Sequence, residues 1–506
     1  MAGAPPRTSQ RRRPAVGADA AGAGLMRALA LGAACLLSAC SLTPAYVRPA
    51  APIPPSWPVG DAYLAQHEAT LPSLSYRQVF ADPRLQALVA QALDHNRDLR
   101  IALADIAQAR AQYRIQRAAL LPEVGTSATY TRSYRGKGAA PANDATQGGN
   151  AAAAPAAGYA SNYDLGVGVT AFELDLFGRL HALSTAAQQR YLEQEAAARA
   201  TRLTLVGDIA TTWLNYASDR SLLTLAQDTE RSAGASVALT AQRVDGGIVP
   251  HSDLDQANQV LHAAQADLAA QTTALAQDAN ALQLLVGAPV DPALLPGSIE
   301  EVAASIGNPP AGLDTSVLLR RPDVVQAEYE LRAVNAQIGA ARAALFPSIS
   351  LSGLLGLTST ALSQLFTHDA RTASVGAGVA YTVFDGGAAR ANVRYTEAQR
   401  DAAVAGYEKT VQTAFSEVAD ALARRGTIDA QLQAQRALLA DAANTYDASA
   451  QRYREGVESA LSNLDAQRSY YAAQRSLVAV ELTAATNRVT LYRTLGGDAS
   501  LEVAQP

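Results

Sequence analysis

The side chains that most often carry chemistry are few and scattered in this sequence. Its six histidines are His67, His95, His181, His251, His262 and His368. No two have the i, i+4 spacing that puts a pair of imidazoles on one helix face for a metal, and none lies near a cysteine. His251 and His262 read as solvated helix residues. No Gly-x-Ser-x-Gly elbow or Walker loop occurs, and the Gly-x-Gly pairs 166/168 and 376/378 lack the third glycine and following helix of a dinucleotide loop. Carboxylates are numerous but fall mostly on long helical stretches, where they form a wet face. The reading is of a protein that is not an enzyme and holds no metal or soluble cofactor.

One thiol stands apart. Ala28 to Ala39 is an uncharged run directly after Arg27. It has the length of a signal-peptide core and is too short to cross a bilayer. It ends Leu37-Ser38-Ala39-Cys40, which resembles the bacterial lipobox, where the cysteine is acylated and becomes the first mature residue. Cys40 is the expected lipidation site, with palmitate or a similar chain, and Cys35 leaves with the signal peptide 1–39. Met26, just before Arg27, is an alternative start. Ser41 after the cysteine, where an Asp would signal retention, resembles an outer-membrane address.

Composition narrows the rest. The chain has 506 residues, 49% hydrophobic and 17% charged, with a formal net charge of −5. Lys137 and Lys409 are its only lysines. A basic footprint for nucleic acid is absent. Two cysteines exclude a disulfide scaffold and a multi-cysteine metal site. Beyond Cys40 no uncharged apolar run approaches the roughly 18 residues of a membrane-spanning helix. If the mature chain crosses a membrane, it does so with strands.

The elements repeat. Arg117-Ala118-Ala119-Leu120-Leu121-Pro122 recurs as Arg342-Ala343-Ala344-Leu345-Phe346-Pro347, an offset of 225. Farther on, Ala241-Gln242-Arg243 recurs as Ala450-Gln451-Arg452, and Gly247, Ala257 and Gly287 recur as Gly456, Ala466 and Gly496, an offset of 209. The 16-residue difference is accounted for by the low-complexity segment Gly136 to Gly158. Each copy reads as a helix (83–121; 322–346) stopped by Pro122 or Pro347, a strand pair, a very long helix (180–244; 388–453), a glycine turn and a last helix (252–286; 459–495). At roughly 1.5 Å per residue the long helices reach about 100 Å, which suits a tube or rod and not a compact globule. The organisation is a signal peptide 1–39, a lipid-anchored proline-rich tether 40–80, repeat 1 over 81–290, an equatorial linker 291–318, repeat 2 over 319–498 and a tail 499–506. Pro44, Pro49, Pro52, Pro54, Pro55 and Pro58 predict an extended tether.

The predicted strands alternate strictly. In 374–383, Val375, Ala377, Val379, Tyr381 and Val383 oppose Ser374, Gly376, Gly378, Ala380 and Thr382. Segments 123–134, 163–171 and 348–357 show the same apolar and small-polar faces, with tyrosines near the ends of the first two. Each approaches the 9–11 residues of a transmembrane strand. Four strands cannot close a barrel and lipid tolerates no open edge, so several chains must pool them.

A lipobox, a proline-rich tether, duplicated helix-strand-strand-helix-helix units and very long helices resemble the outer membrane factors of the TolC-like family, in their NodT-type lipoprotein branch. The specific stretches are Leu318-Leu319-Arg320-Arg321-Pro322-Asp323-Val324, the two Arg-Ala-Ala-Leu-x-Pro ends, Val383-Phe384-Asp385-Gly386-Gly387, Phe172 to Arg179, and Arg452-Tyr453 followed by Gly456 and Leu464-Asp465-Ala466-Gln467. The resemblance implies an α+β fold: a transmembrane β-barrel shared by a homotrimer, four strands per chain, above a long α-helical periplasmic barrel. It implies a lipid-anchored duct in the outer membrane that passively exports small molecules such as drugs. Its partners would be outer membrane lipid, a periplasmic adaptor (membrane fusion) protein and a proton-driven inner-membrane pump. The alternative is the duct of a type I protein secretion system.

The turns after the long helices lie far along the chain from the strands and mark a periplasmic tip. By resemblance, Gly246, Gly247 and Gly456 face the adaptor. Leu461 and Asp465, at i, i+4, share one helix face. By resemblance they form a periplasmic gate, with Arg452, Tyr453, Ser252 and Asp253 as its restraining network. Two departures weaken the pattern: Ser462 stands where relatives often carry a second bore carboxylate, and Glu458 where some carry a basic residue.

Overall fold

The computed structural model describes residues 3, 41–63, 75–136, 158–310, 312 and 314–497. The signal peptide, Cys40, most of the low-complexity segment and the tail lie outside the described residues. The elements, in chain order, are α1 (Pro83–His95), α2 (Arg97–Ala118), β1 (Gly125–Arg135), β2 (Gly158–Leu174), α3 (Arg179–Asp245), α4 (His251–Val286), α5 (Pro322–Ala343), β3 (Ser348–Ser359), β4 (Arg371–Ala380), α6 (Ala388–Arg454) and α7 (Ala460–Thr494). Single helical turns at Tyr76–Val79 and Ile299–Val302 precede α1 and follow α4. The chain divides into two compact units. The first takes residues 1–44, 116–184 and 336–395; the second takes 45–115, 185–335 and 396–506.

The first unit is built on one antiparallel sheet in the order β1-β2-β3-β4. Its register puts Tyr130 opposite Tyr163, Leu165 opposite Leu357, and Leu355 opposite Ala373, all on one face. Ser127, Gly166, Gly356 and Thr372 align on the other. The apolar face is uncovered: Val375 is 92% exposed and Leu355 63%. β4 ends at Ala380, short of the predicted 383, because its last partner is Ser348 and the preceding Pro347 has no N–H to continue the ladder. β2 is longer than predicted and carries a bulge between Val169 and Phe172, where it passes from pairing with β1 to pairing with β3 alone. Asp175 and Asp385 then start the two long helices. Asp175 accepts from the His181 N–H at 2.7 Å, and Asp385 from Gly387 and Ala389 at 2.8 and 2.7 Å. Those backbone bonds hold the Asp385 carboxyl below its usual value.

The second unit is helical. Trp213 of α3 is fully buried and donates its indole N–H to the Leu294 carbonyl at 3.0 Å. Around it pack Leu85, Leu88 and Val89 of α1, Leu282 and Val286 of α4, Ile299, Val302 and Ile306 of the 291–318 segment, and Val489 and Tyr492 of α7. That segment is therefore part of the core. A predicted continuous helix over 83–121 is broken at Asn96, whose side chain accepts from the Leu99 N–H and donates to the Leu285 carbonyl. Gly287 closes α4 with φ +74, and a Cβ there would stand 2.5 Å from the His95 carbonyl oxygen. Arg321 is buried, capping α7 at the Thr494 carbonyl and pairing with Asp323 and Glu417 at 2.7 and 2.8 Å.

The proline-rich segment is extended as expected, but it is docked along the helices. Trp57 is buried and stacks on Phe415 with centroids 5.5 Å apart. The Tyr46 hydroxyl and Arg48 bind Glu328 at 3.2 and 2.6 Å, and Gly426 leaves room for the Ala62 carbonyl. Burial raises Glu328, but Arg48 and Arg332 outweigh it and hold the carboxyl below its usual value.

Asp219 of α3 and Asp278 of α4 are close enough for their carboxyl charges to interact, and the Asp278 Oδ2 is buried. Burial, then the Asp219 charge, push Asp278 from 3.8 to about 6, and burial raises Asp219 as well. A raised folded-state value means that the pair favours the fold fully below pH 3.8 and loses that contribution as pH rises through about 6. Asp278→Asn keeps the shape of the side chain without its charge. It should raise the melting temperature of the assembled protein at pH 7.5 and raise it clearly less at pH 5, inside the window between 3.8 and about 6, as read by heat dissociation on unboiled gels; equal effects at both values would contradict the raised Asp278 value.

Candidate channel tip and membrane strands

Two long helices in one chain must be held together near their ends. The structure does this with a polar seam between α3 and the second-copy helices α6 and α7. Thr240 donates its hydroxyl to the Ser236 carbonyl at 2.8 Å, so the buried Tyr453 hydroxyl, 3.0 Å away, donates to Thr240. Arg243 lies over the Tyr453 ring, 4.3 Å from its centroid, and donates to the Tyr453 and Arg454 carbonyls at 2.8 and 3.2 Å. It thereby satisfies carbonyls that the end of α6 would leave without partners. Nearer the middle of the helices, Ser232 bonds Tyr446 at 3.0 Å and accepts from Gln467 at 3.1 Å, while Tyr446 stacks on Tyr470.

The turns that follow α3 and α6 are glycine-built. Gly247 and Gly456 have φ of +67 and +78, and no atom lies within 4 Å of a Cβ placed on either. Their identity follows from backbone conformation and not from crowding, and their surroundings are open. Gly246, next to Gly247, has negative φ and donates its N–H to the Gln242 carbonyl.

The other sequence-predicted residues fall as follows. Leu461 is 58% exposed and lines a groove of about 530 Å³ with Thr229, Gln256, Val260, Leu464 and Arg468. Asp465 is exposed and pairs with Arg468 at 3.2 Å, which offsets its charge locally. Leu464, Ala466 and Gln467 are buried, so only Asp465 of that four-residue motif points outward. Arg452 pairs with Glu458 of its own turn at 3.4 Å, so the acidic residue at 458 supplies a partner for the arginine. Ser252 and Asp253 lie in the first turn of α4 and are not brought to Arg452 or Tyr453 within one chain. Sequence reasoning missed Arg243, Thr240 and Ser232. Arg243 was visible as the first-copy counterpart of Arg452, but the shift did not say that the two arginines would differ in role. It also missed Asp267 of α4, which accepts from Tyr471 and Arg475 of α7 at 3.1 Å each. Burial, then the Asp267 charge, push the Tyr471 hydroxyl up to about 12.

Among the described residues, no group of three or more His, Cys, Asp or Glu could hold a metal, and no helix is long and apolar enough to cross a membrane. What remains for a membrane is the exposed apolar sheet face, with β1 and β4 as its two unpaired edges.

The profile of the Outer membrane efflux protein family matches residues 88–288 and 315–497. The chain belongs to that family. It is 40% identical over 476 residues to the solvent efflux pump outer membrane protein SrpC of Pseudomonas putida, covering 93% of this chain and 98% of that one. It is 38% identical over 493 residues to the outer membrane protein OprJ of Pseudomonas aeruginosa, covering 96% of each. The open-state crystal structure of the MtrE outer membrane channel of Neisseria gonorrhoeae superposes with a TM-score of 0.78 at 31% identity, covering 91% of this chain and 99% of that chain. The two profile segments coincide with the two copies of the repeat, interrupted near the 291–318 segment. The family is one of efflux ducts and not of enzymes, and its place is the outer membrane.

Arg243→Ala leaves the Tyr453 and Arg454 carbonyls without their charged donor, a loss of about 1.5–3 kcal/mol. Tyr453→Phe removes only a neutral hydroxyl bond, about 1 kcal/mol. Hydrogen–deuterium exchange of the turn after α6 should quicken in both variants and more in Arg243→Ala; unchanged exchange in both would contradict the seam.

Proposed function

We propose that three copies of this chain assemble into one duct of a tripartite efflux system, pooling their sheets into a twelve-stranded barrel in the outer membrane. The observation that carries this reading is the four-stranded antiparallel sheet with one exposed apolar face and two open edges, a unit that is incomplete in lipid by itself. The edges suit each other: β1 and β4 run in opposite directions, so joining β4 of one copy to β1 of the next keeps every pair antiparallel. The helices form the periplasmic tunnel. The turns at Gly246, Gly247 and Gly456 meet a periplasmic adaptor, which links the duct to a proton-driven inner-membrane pump. The relatives' names, solvent and toluene pumps among them, favour small apolar cargo over secreted protein.

In this reading Leu461 and Asp465 line the narrowest part of the tunnel, three copies around one axis. The Asp465–Arg468 pair and Ser462 leave a weak charge ring, so the constriction leans on Leu461. Tyr453 and Arg452 hold the helix ends from within each chain, while Ser252 and Asp253 act across subunits. Cys40 carries the lipid.

Efflux is tested by deleting the gene and restoring it: the deletion should sensitise cells to toluene and lipophilic drugs, and the wild-type chain should restore resistance. Failure to restore it would oppose the reading. Single-channel recording in planar bilayers tests the constriction. Leu461→Ala should raise conductance, and Asp465→Ala should weaken blockade by divalent cations; unchanged current and blockade in both would remove these residues from the gate. An acyl chain contributes about 0.8 kcal/mol per buried CH₂, but a barrel anchors by itself. Cys40→Ser should therefore lower the amount in the outer membrane and leave a trimer there, as measured by membrane fractionation. Complete release to the periplasm would contradict the barrel.

A further inference from the structure

Two arginines on the sheet have no carboxylate partner among the described residues. Arg132 of β1 is exposed and its guanidinium lies 4.7 Å from the Tyr159 ring centroid. Arg371 begins β4, opposite Leu357, and lines an open apolar hollow with Leu165, Val167, Leu355 and Ala373. The register places both arginines on the apolar face; Arg132 lies among Tyr130, Tyr134, Tyr159 and Tyr163 of β1 and β2, and Arg371 on the opposite edge strand. Tyr130 packs on Tyr163 and Tyr134 on Tyr159, with centroids 4.8 and 5.1 Å apart.

Position sharpens the question. Both residues lie toward the end of the sheet that carries the β1–β2 and β3–β4 loops, away from the ends joined to helices. A cation on a lipid-facing strand is costly at the bilayer centre and tolerated near the headgroups, where tyrosines also collect. The two arginines also lie on the two open edges. Closing the barrel between copies brings β1 of one chain beside β4 of the next, so Arg132 and Arg371 border the same subunit seam. Their depths differ: Arg132 pairs with Ser161, two residues beyond the Tyr163–Ser359 pair, which is itself two residues beyond Leu357–Arg371.

We infer that each seam holds the headgroup of a phosphorylated glycolipid of the outer leaflet, with Arg132 of one chain and Arg371 of the next as its phosphate ligands. The tyrosine cluster seats the sugar and upper acyl chains. Guanidinium groups bind phosphate through paired N–H donors, and two of them at different depths suit a headgroup with two phosphates. Neither chain supplies the whole site. The inference rests on the barrel proposed above.

The test uses the full-length trimer purified in detergent and stripped of lipid. Its heat dissociation is followed while adding bis-phosphorylated lipid A, the fully dephosphorylated glycolipid, or inorganic phosphate. The bis-phosphorylated lipid should stabilise the trimer at a concentration at least tenfold lower than the dephosphorylated form, and inorganic phosphate should not substitute for it. Arg132→Gln with Arg371→Gln should abolish the tenfold preference, while the double Arg→Lys variant retains part of it and reports on folding. Loss of the preference in the glutamine variant but not the lysine variant supports the site. Equal stabilisation by both lipids in the wild type, or an undiminished preference in a trimeric glutamine variant, overturns it. A wild-type chain that forms no heat-sensitive trimer and no conducting channel would instead overturn the barrel, and the lipid site with it.

Discussion

A sheet in hydrocarbon cannot leave its edge N–H and C=O groups unpaired. That constraint organises this protein. One chain supplies four strands, each with one apolar face, and stops with two open edges. Among the described residues nothing covers them: the segments before β1 and after β4 lead into helices. The strands complete themselves only by meeting copies of themselves. Assembly is therefore a condition of membrane insertion and not a later elaboration.

The helices face a different problem. α3 and α6 are each 67 residues long, and alanine fills many of their positions, so little apolar area per turn is available to fix them. The structure concentrates its large side chains around Trp213 and around Trp57, Tyr407 and Val411. Away from these cores, pairing is left to polar contacts such as Tyr453 with Thr240, Gln467 with Ser232 and Tyr471 with Asp267. Hydrogen bonds between small and polar residues fix register where apolar packing is thin, and each contributes only about 0.5–1.5 kcal/mol. A set of modest contacts near the end of long helices can be exchanged one at a time without unfolding the helices themselves.

Much of this was legible in the sequence because the governing patterns are local. The period-two alternation around Val375 and Leu355 gave the strands, Pro122 and Pro347 gave the helix stops, and the constant offsets gave the duplication. The long helices match their predicted limits to within a residue or two. What escaped was non-local. Nothing near Asn96 says that its side chain will bond Leu285, and so the break between α1 and α2 was unseen. Composition made 40–80 an extended tether and could not show that its described part, 41–63, docks on the helices, because the stacking of Trp57 on Phe415 depends on a residue more than three hundred positions away. The spacing of Leu461 and Asp465 gave only a shared helix face, and their gate role came from resemblance; Arg243 and Arg452, equivalent in the repeat, diverge because one faces carbonyls of α6 and the other faces Glu458.

The account stands on the claim that the alternating faces of these strands are lipid on one side and water on the other. The sequence has no cysteine beyond Cys40, so single cysteines along 373–379 can carry nitroxide spin labels in trimers reconstituted into bilayers. The measurement is collision of each label with lipid-soluble oxygen and with a water-soluble nickel complex. Labels at Ala373, Val375, Ala377 and Val379 should favour oxygen, and those at Ser374, Gly376 and Gly378 the nickel complex, in strict alternation. Water access at every position, or no period of two, would contradict a membrane barrel built from these strands.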